Sequence, residues 1–477
     1  MGEKSLNHVM TVKDILNVTK GTLITGREDV ICDDFSKDSR EINKGDIYLG
    51  LKGETVNGGI YFENAFANGA KGCIVQDIDF TEKQKEKYKD KVIIKVEDTL
   101  NAIQEMAKFK RSLYGKDFPI VAVTGSVGKT STKDIIASVL STKYKTLKTE
   151  GNYNNHIGVP LTILRLKDHE AAVIEMGMNH FGEIRVLTNI AKPTICVITN
   201  IGTSHIGNLG SRENILKSKL EILEGNEQKT IVINNDNDLL HKFYEENNDK
   251  LNIMTYGIEN ASKVYAQDIN LEEEKSQFVC KTQSEEFKVD VPVAGVHFVY
   301  NALCAITVGR MLNIENSKIQ KGIEGFELTK KRMDISTLKN GAKIINDSYN
   351  ASFESMKASI ANLANYAECR KIAVLGDMFE LGDYSKQLHE NVGKEVAKNN
   401  IDILICSGEN SKNIVNSAKE NGMNENNIYY FENKEDIIKL LNKIMDKNDV
   451  ILFKASNGMK FFDLVKELEE EMSLWKK

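Results

Sequence analysis

The stretch Ile120-Val-Ala-Val-Thr-Gly-Ser-Val-Gly-Lys-Thr-Ser131 constrains the fold more than any other part of the chain. Ile120, Val121 and Val123 make the short apolar run of a strand covered on both faces, as in a parallel sheet. Gly125 and Gly128 allow a tight turn and a close backbone approach to a ligand. Thr130, Ser131 and Thr132 then open a helical pattern that continues through residues 134–140. Such a turn presents backbone N–H groups and the positive end of a helix to one point, which is an anion cradle. Lys129 adds a point charge for outer phosphates, and the Thr130 hydroxyl suits Mg²⁺. The stretch therefore reads as a nucleoside-triphosphate site. It departs from the general phosphate-loop pattern at Val123, where that pattern has glycine.

A chain of 477 residues implies roughly two to four domains. Apolar residues make up 41% and charged residues 28%, the balance of a globular protein with full cores. The net charge of −6 is spread along the chain without a basic block, so there is no footprint for nucleic acid or an acidic membrane. Apolar runs stay well below the roughly 20 residues that span a bilayer. The first eight residues lack the apolar core of a signal peptide. Seven scattered cysteines without a Cys-x-x-Cys pair point to buried thiols in a reducing compartment. The expectation is a cytoplasmic, monomeric protein.

Three blocks follow from the element pattern. Residues 1–116 alternate short strands and helices, with a helix over 12–18, strands over 31–36, 46–51, 72–76 and 92–96, and a long helix over 99–114. Gly115 to Pro119 breaks the pattern. Residues 117–326 repeat β/α units, with strands over 171–175, 194–199 and 230–234. This predicts a mainly parallel sheet with ligands at the carboxyl ends of its strands. Glu175 sits at one such end and His205 just past another, so both face the phosphate loop as candidate metal ligands or orienters. Imidazole is the less usual Mg²⁺ partner. Ser211 caps a helix on which Ile215, Lys219, Ile222 and Leu223 share one face. A lysine in that stripe either snorkels to water or is desolvated into a neutral amine open to carbamylation by CO₂. Spacing alone does not choose between them. Alternating polar and apolar residues over 258–292 predict a small antiparallel sheet inserted before the block's last helix. Residues 327–477 resume the β/α alternation, with strands over 342–346, 372–375, 401–405 and 450–453. Their polar ends (Asn346, Asp347, Asn350, Asp377, Lys454, Ser456) define a second crevice.

The ordered motifs resemble one family. The short phosphate loop Val123–Thr130 is similar to that of the Mur ligases, which also lack the first glycine. The segments 149–160, Glu175-Met-Gly-Met178, Thr199–His205, Gly210–Glu213 with Lys219, His297–Ala302, Lys331-Arg-Met333, Asn346–Asn350 and Leu375–Gly382 resemble that family's further signatures in the same order. Asp38-Ser-Arg40, Gly45–Tyr48 and Leu51–Glu54 are similar to its UDP-sugar domain. Two departures stand out. Ser352-Phe353 replaces the usual Asn-Pro, and Ser456-Asn-Gly458 lacks the usual arginine.

The resemblance implies an α/β protein of three domains. These are an N-terminal UDP-sugar domain (1–116), a central phosphate-loop ATP domain (117–326) and a Rossmann-like C-terminal domain (327–477). It implies that ATP phosphorylates the terminal carboxylate of a UDP-N-acetylmuramoyl-tripeptide and that the amine of D-Ala-D-Ala attacks the acyl phosphate. Gly125, Ser126, Val127, Gly128, Lys129 and Thr130 would hold phosphates, with Asn301, Arg332 and Asp347 also on ATP. Thr130 and Glu175 would serve one Mg²⁺, and His205 with a carbamylated Lys219 a second. Lys129, Glu175, His205, Lys219 and Arg332 form the catalytic set. Ser39 and Arg40 would contact the UDP, and Asn152, Asn155 and Asn350 the peptide substrates. Without the resemblance, Asp38-Ser-Arg40 is an ordinary polar turn. Alternatives are a related ligase adding a single amino acid, or a nucleotide-binding scaffold. A scaffold has no need of Lys129, Glu175, His205 and Lys219 together.

Overall fold

The computed structural model describes residues 8–225, 229–328 and 332–474. Most of the N-terminal segment read above, and Lys331, lie outside them. Among the described residues twenty strands fall into three sheets separated along the chain.

The first sheet contains Thr22–Thr25 (β1), Phe35–Ser36 (β2), Ile47–Gly50 (β3), Gly72–Val75 (β4) and Val92–Lys95 (β5), in the order β1-β5-β4-β3-β2. All neighbours are parallel except β1 and β5. The strand expected over 31–36 shrinks to two residues, with Ile31 making only a bridge to Thr11. Asp33 and Asp34 lie between them and turn out to lysines instead, Asp33 to Lys110 and Asp34 to Lys167. The helix Thr99–Ser112 leads out of this sheet, and its buried Arg111 fastens the first block to the second. The guanidinium donates to the carbonyls of Ala191 at 3.0 Å, Tyr114 at 2.9 Å, and Gly115 and Lys192 at 3.3 Å.

The central sheet has nine strands: Ile120–Thr124 (β6), Thr146–Lys148 (β7), Ala171–Glu175 (β8), Ile195–Ile198 (β9), Thr230–Asn234 (β10), Asn252–Gly257 (β11), Val264–Leu271 (β12), Ser276–Thr282 (β13) and Glu286–Val291 (β14). Their order is β14-β13-β12-β11-β10-β9-β6-β8-β7. From β6 the chain runs to β7 and β8 on one side and to β9 and its successors on the other. The carboxyl end of β6 is thus where the order reverses, the preferred ligand position in such sheets. β6, β8 and β9 are buried along their whole length, which explains their unbroken apolar runs. The antiparallel strands expected as a separate inserted sheet are instead its continuation. β12 joins β11 in parallel through Tyr256–Val264 and Gly257–Tyr265, and the β12–β13 and β13–β14 pairings are antiparallel. The helix Val296–Met311 is not the block's last, because Asn316–Glu324 follows it.

The third sheet contains Asp334–Thr337 (β15), Lys343–Asn346 (β16), Arg370–Gly376 (β17), Ile403–Ser407 (β18), Ile428–Phe431 (β19) and Asp449–Lys454 (β20), ordered β15-β16-β20-β17-β18-β19. It is parallel apart from β15. It docks on the second block through Lys343 on Glu273 and Glu274, and by two contacts beside the strand ends. Glu354, in the first turn of the helix Phe353–Ala364, accepts from the Thr203 N–H at 2.8 Å and its hydroxyl at 3.1 Å. The turn at 380–384 meets residues 205–210. Every cysteine is a free thiol, buried except for the partly exposed Cys369. Among the described residues no helix is long and apolar enough to cross a membrane.

Arg111→Met should leave the Ala191 and Tyr114 carbonyls without their donor. The expected loss is about 3 kcal/mol of unfolding free energy in urea titration, from stranding buried acceptors. An unchanged midpoint would show that the guanidinium does not hold the first two blocks together.

Candidate active site

Gly125 stands at φ +153, and a Cβ there would lie 1.9 Å from the Thr199 hydroxyl. Only glycine permits that approach, which brings the turn after β6 against the turn after β9. The two turns are then stitched together. The Ser126 N–H donates to Asn200 O and the Val127 N–H to Asn200 Oδ1, each at 3.0 Å. Thr199 Oγ1 donates to Val127 O at 2.7 Å, and the Gly202 N–H to Ser126 Oγ at 2.9 Å. The Ser126 and Val127 N–H groups are already taken, so the free donors are those opening the helix Lys129–Ser141, which Gly128 caps at φ +81.

Around this loop the strand ends bring their side chains together. Glu175, 1% exposed at the end of β8, accepts from Thr130 Oγ1 at 2.9 Å and from Asn154 Nδ2 at 2.8 Å. Asn301 accepts from Thr132 Oγ1 at 2.9 Å. The Lys129 ammonium folds back onto Gly125 O at 2.8 Å and Ser126 O at 3.3 Å. Burial lowers its pKa, Glu175 opposes that, and Arg332 adds to it. Behind it, Lys219 is 1% exposed, and no carboxylate among the described residues lies within ion-pairing distance. Burial, and then the charge of Lys129, hold its pKa well below 10.5. The structure thus decides what spacing left open: Lys219 does not snorkel to water.

The third block closes the other wall. The Arg332 guanidinium stacks on Tyr349 at 4.2 Å, with its Nε buried and without a partner. Asp347 accepts from Lys454 Nζ at 2.5 Å and Ser359 Oγ at 2.6 Å, and Lys454 also donates to Asn350 O at 3.1 Å. His205 bonds through Nδ1 to Glu380, and that contact is the main cause holding the Glu380 carboxyl below its ordinary range. Both residues have left-handed backbones, φ 64 and φ 62, a conformation that costs about 1–3 kcal/mol for a non-glycine residue. The substituted Ser352 caps its helix in a reciprocal box with Ser355, and Ser456 Oγ accepts from the Phe379 N–H at 2.8 Å.

One cleft of about 470 Å³ is lined by Ser126 to Thr130, Asn152, Asn155, Glu175, His205, Asn301, Arg332, Asp347 and Asn350. Gly125 and Lys219 lie behind this lining. Ser39 and Arg40 lie outside it, Arg40 being ion-paired to Asp38 at 2.6 Å. The same turn still reaches the cleft's edge, where the Lys37 ammonium sits 4.7 Å over the ring of Tyr153, next to Asn152. Sequence reasoning missed Asn154, Asn200, Glu354 and Glu380 as site-forming groups. Asn154, Asn200 and Glu380 stood inside quoted motifs, whereas nothing local marks Glu354.

Among the described residues no group of three or more His, Cys, Asp or Glu is placed to hold a metal. Mg²⁺ does not require one, because one or two carboxylates with phosphate and water oxygens suffice. The Thr130 hydroxyl and Glu175 carboxylate, hydrogen-bonded beside the free helix N–H groups, fit that donor set.

A phosphate loop and metal-type carboxylate at the carboxyl ends of one α/β sheet, faced by cations from another, define an ATP-using ligase site. The chain matches the Mur ligase middle domain over residues 123–309, the Mur ligase glutamate ligase domain over 331–457, and the catalytic domain of the Mur ligase family over 36–111. It is 36% identical to the UDP-N-acetylmuramoyl-tripeptide–D-alanyl-D-alanine ligase of Bacillus subtilis, over 96% of this chain and 98% of that protein. Crystallised MurF from Acinetobacter baumannii superposes with a TM-score of 0.84 at 29% identity, covering 97% of this chain and 99% of that one. MurF from Thermotoga maritima, solved in complex with ADP, gives 0.78 at 27% identity, covering 92% and 98%. The chain belongs to the Mur ligase family. Within it, the relatives from Bacillus subtilis, Synechocystis and Escherichia coli, covered over 98%, 99% and 98% of their own length, are named UDP-N-acetylmuramoyl-tripeptide–D-alanyl-D-alanine ligases.

Lys219 should leave a signature in stability. Between its lowered pKa and 10.5 the unfolded chain binds a proton that the folded one does not, so wild-type stability rises with pH in that window. In CO₂-free buffer, Lys219→Met should be more stable than wild type, by a margin largest below the window and shrinking towards pH 10.5. Urea titrations across pH check this, and a margin independent of pH would contradict it.

Proposed function

We propose that this chain is an ADP-forming, ATP-dependent ligase that joins D-alanyl-D-alanine to a UDP-N-acetylmuramoyl-tripeptide, giving the pentapeptide precursor of peptidoglycan. The observation that supports it most is the cleft itself. It gathers the phosphate loop, the Thr130–Glu175 pair and the Arg332 and Asp347 side chains, in a chain similar throughout to ligases of that activity.

In this reading the three blocks 1–116, 117–326 and 327–477 carry UDP-sugar, ATP and the closing wall. The N–H groups opening the helix Lys129–Ser141 hold the outer phosphates, and Lys129 swings from the Gly125 and Ser126 carbonyls onto the transferred group. Arg332 has an unsatisfied Nε at the same cleft and contacts ATP beside Asn301 and Asp347. Thr130 and Glu175 would hold one Mg²⁺, which would neutralise charge on the phosphates. Lys219, as a neutral amine, would add CO₂ and release a proton; the resulting carbamate puts an anion in place of the neutral amine and, with His205, would supply a second metal position. Asn152, Asn155 and Asn350 orient the peptide substrates, and Ser39 and Arg40 meet the UDP at the far end of the 37–40 turn. Docking of the third block excludes water from the acyl phosphate. The reading places the enzyme in the cytoplasm as a monomer. A ligase adding a single amino acid is not favoured by any observation in the cleft.

Phosphate release with UDP-muramoyl-tripeptide and ATP should depend on D-Ala-D-Ala and not proceed with single amino acids. Equal turnover with a single amino acid would overturn the assignment. Lys129→Ala should lower kcat by about 100- to 1000-fold, the usual scale for removing one charge-stabilising donor. Lys219→Ala should collapse turnover and recover part of it with short carboxylic acids; failure to recover in a folded variant would remove the carbamate.

A further inference from the structure

His205 and Glu380 come from different blocks, and their contact belongs to a close backbone fit. The Gly207 N–H donates to Glu380 O at 3.0 Å, and the Tyr384 hydroxyl donates to Gly210 O at 2.8 Å. A Cβ at Gly207 would stand 2.6 Å from Gly382 N and 2.8 Å from Glu380 O, so any larger residue would push the turn at 380–382 away. The carboxylate can only accept, which makes His205 Nδ1 the donor. In a neutral ring that leaves Nε2 with its lone pair, and Nε2 is bonded to no protein group among the described residues while the ring lines the cleft. The side chains of the pair are 20% and 47% exposed. Ion pairs that open to water add little stability, so what this one contributes is orientation.

We infer that Glu380 is a positioning residue for His205: it fixes the Nδ1–H tautomer and so offers the Nε2 lone pair to the cleft only while the 380–384 turn is docked on residues 205–210. The third block then completes the chemistry of a loop belonging to the second, without Glu380 touching substrate. This is the arrangement in which an outer carboxylate orients a ligating imidazole, here supplied from across a domain boundary. The inference rests on the proposed role of His205, but its structural core can be tested apart from that role.

The test is ¹⁵N-histidine spectroscopy of the full chain without nucleotide or metal, at a pH where the ring is neutral, with the His205 signals assigned by His205→Asn. Wild type should show Nδ1 protonated and Nε2 bare. Glu380→Ala should give a mixture of tautomers, and Glu380→Gln, whose amide oxygen still accepts, should keep most of the wild-type form. Gly207→Ala changes neither side chain, yet should reproduce the Glu380→Ala spectrum by lifting the turn. Thermal midpoints should stay at the wild-type value for both Glu380 variants. In turnover, Glu380→Ala should raise the KM for Mg²⁺ on the order of 10-fold with the KM for the dipeptide unchanged. A His205 spectrum unaltered in both Glu380→Ala and Gly207→Ala would overturn the inference. Altered spectra in a protein without dipeptide-dependent turnover would leave it standing and remove the proposed function instead.

Discussion

Two lysine amines, the half-buried Lys129 and the buried Lys219, share one end of the central sheet, and of the two Lys129 is influenced by a carboxylate, Glu175. Arg332 brings a third cation to the same cleft from the next block. Burying charge without a partner is expensive, and a protein relieves it by binding an opposite charge or by giving up the proton. Both outlets suit this site. Polyphosphate answers Lys129 and the helix N–H groups, and deprotonation of Lys219 opens it to CO₂. The rest of the architecture serves to hold these cations where water does not neutralise the problem for them.

That placement follows from parallel β/α topology. Reversal of strand order at β6 puts the turns after β6, β8 and β9 side by side, and hydrogen bonds from Asn200, Thr199 and Ser126 lock two of them into one surface. Glu175 is fixed from both sides, by Thr130 and Asn154. The opposite wall belongs to a separate sheet and arrives through Glu354 on Thr203 and the 380–384 turn on residues 205–210. The cleft is therefore built by docking as much as by folding, which is what a reaction needing shelter from water calls for.

The sequence made the central strands legible because β6, β8 and β10 are apolar runs bounded by clear turns. Of the missed strands, β1, β7, β15 and β19 are short, with partly or largely exposed residues at sheet edges, where neighbours rather than pattern decide, whereas β11 lies inside the central sheet between β10 and β12. The helix Glu82–Lys87 has no buried residue and so no periodic signal. Alternation over 264–291 was readable, but not that β12 would join β11, since that pairing is made between segments whose own pattern allows either outcome. At the site, residue type and strand-end position sufficed to put Glu175 and His205 at the cleft. Whether Lys219 was wet or dry depended on what its helix packs against, and the partners Glu354 and Glu380 acquire meaning only when the third block docks. That Asn200, far along the chain, takes the Ser126 and Val127 N–H groups was not legible from the local pattern.

The account stands on Lys219 being a desolvated amine held beside the phosphate loop. Equilibrating the folded protein with ¹³C-bicarbonate and recording its ¹³C spectrum tests this directly. The account predicts a carbamate carbonyl signal that is absent from Lys219→Met; a folded wild-type protein giving no signal beyond that variant's would contradict it.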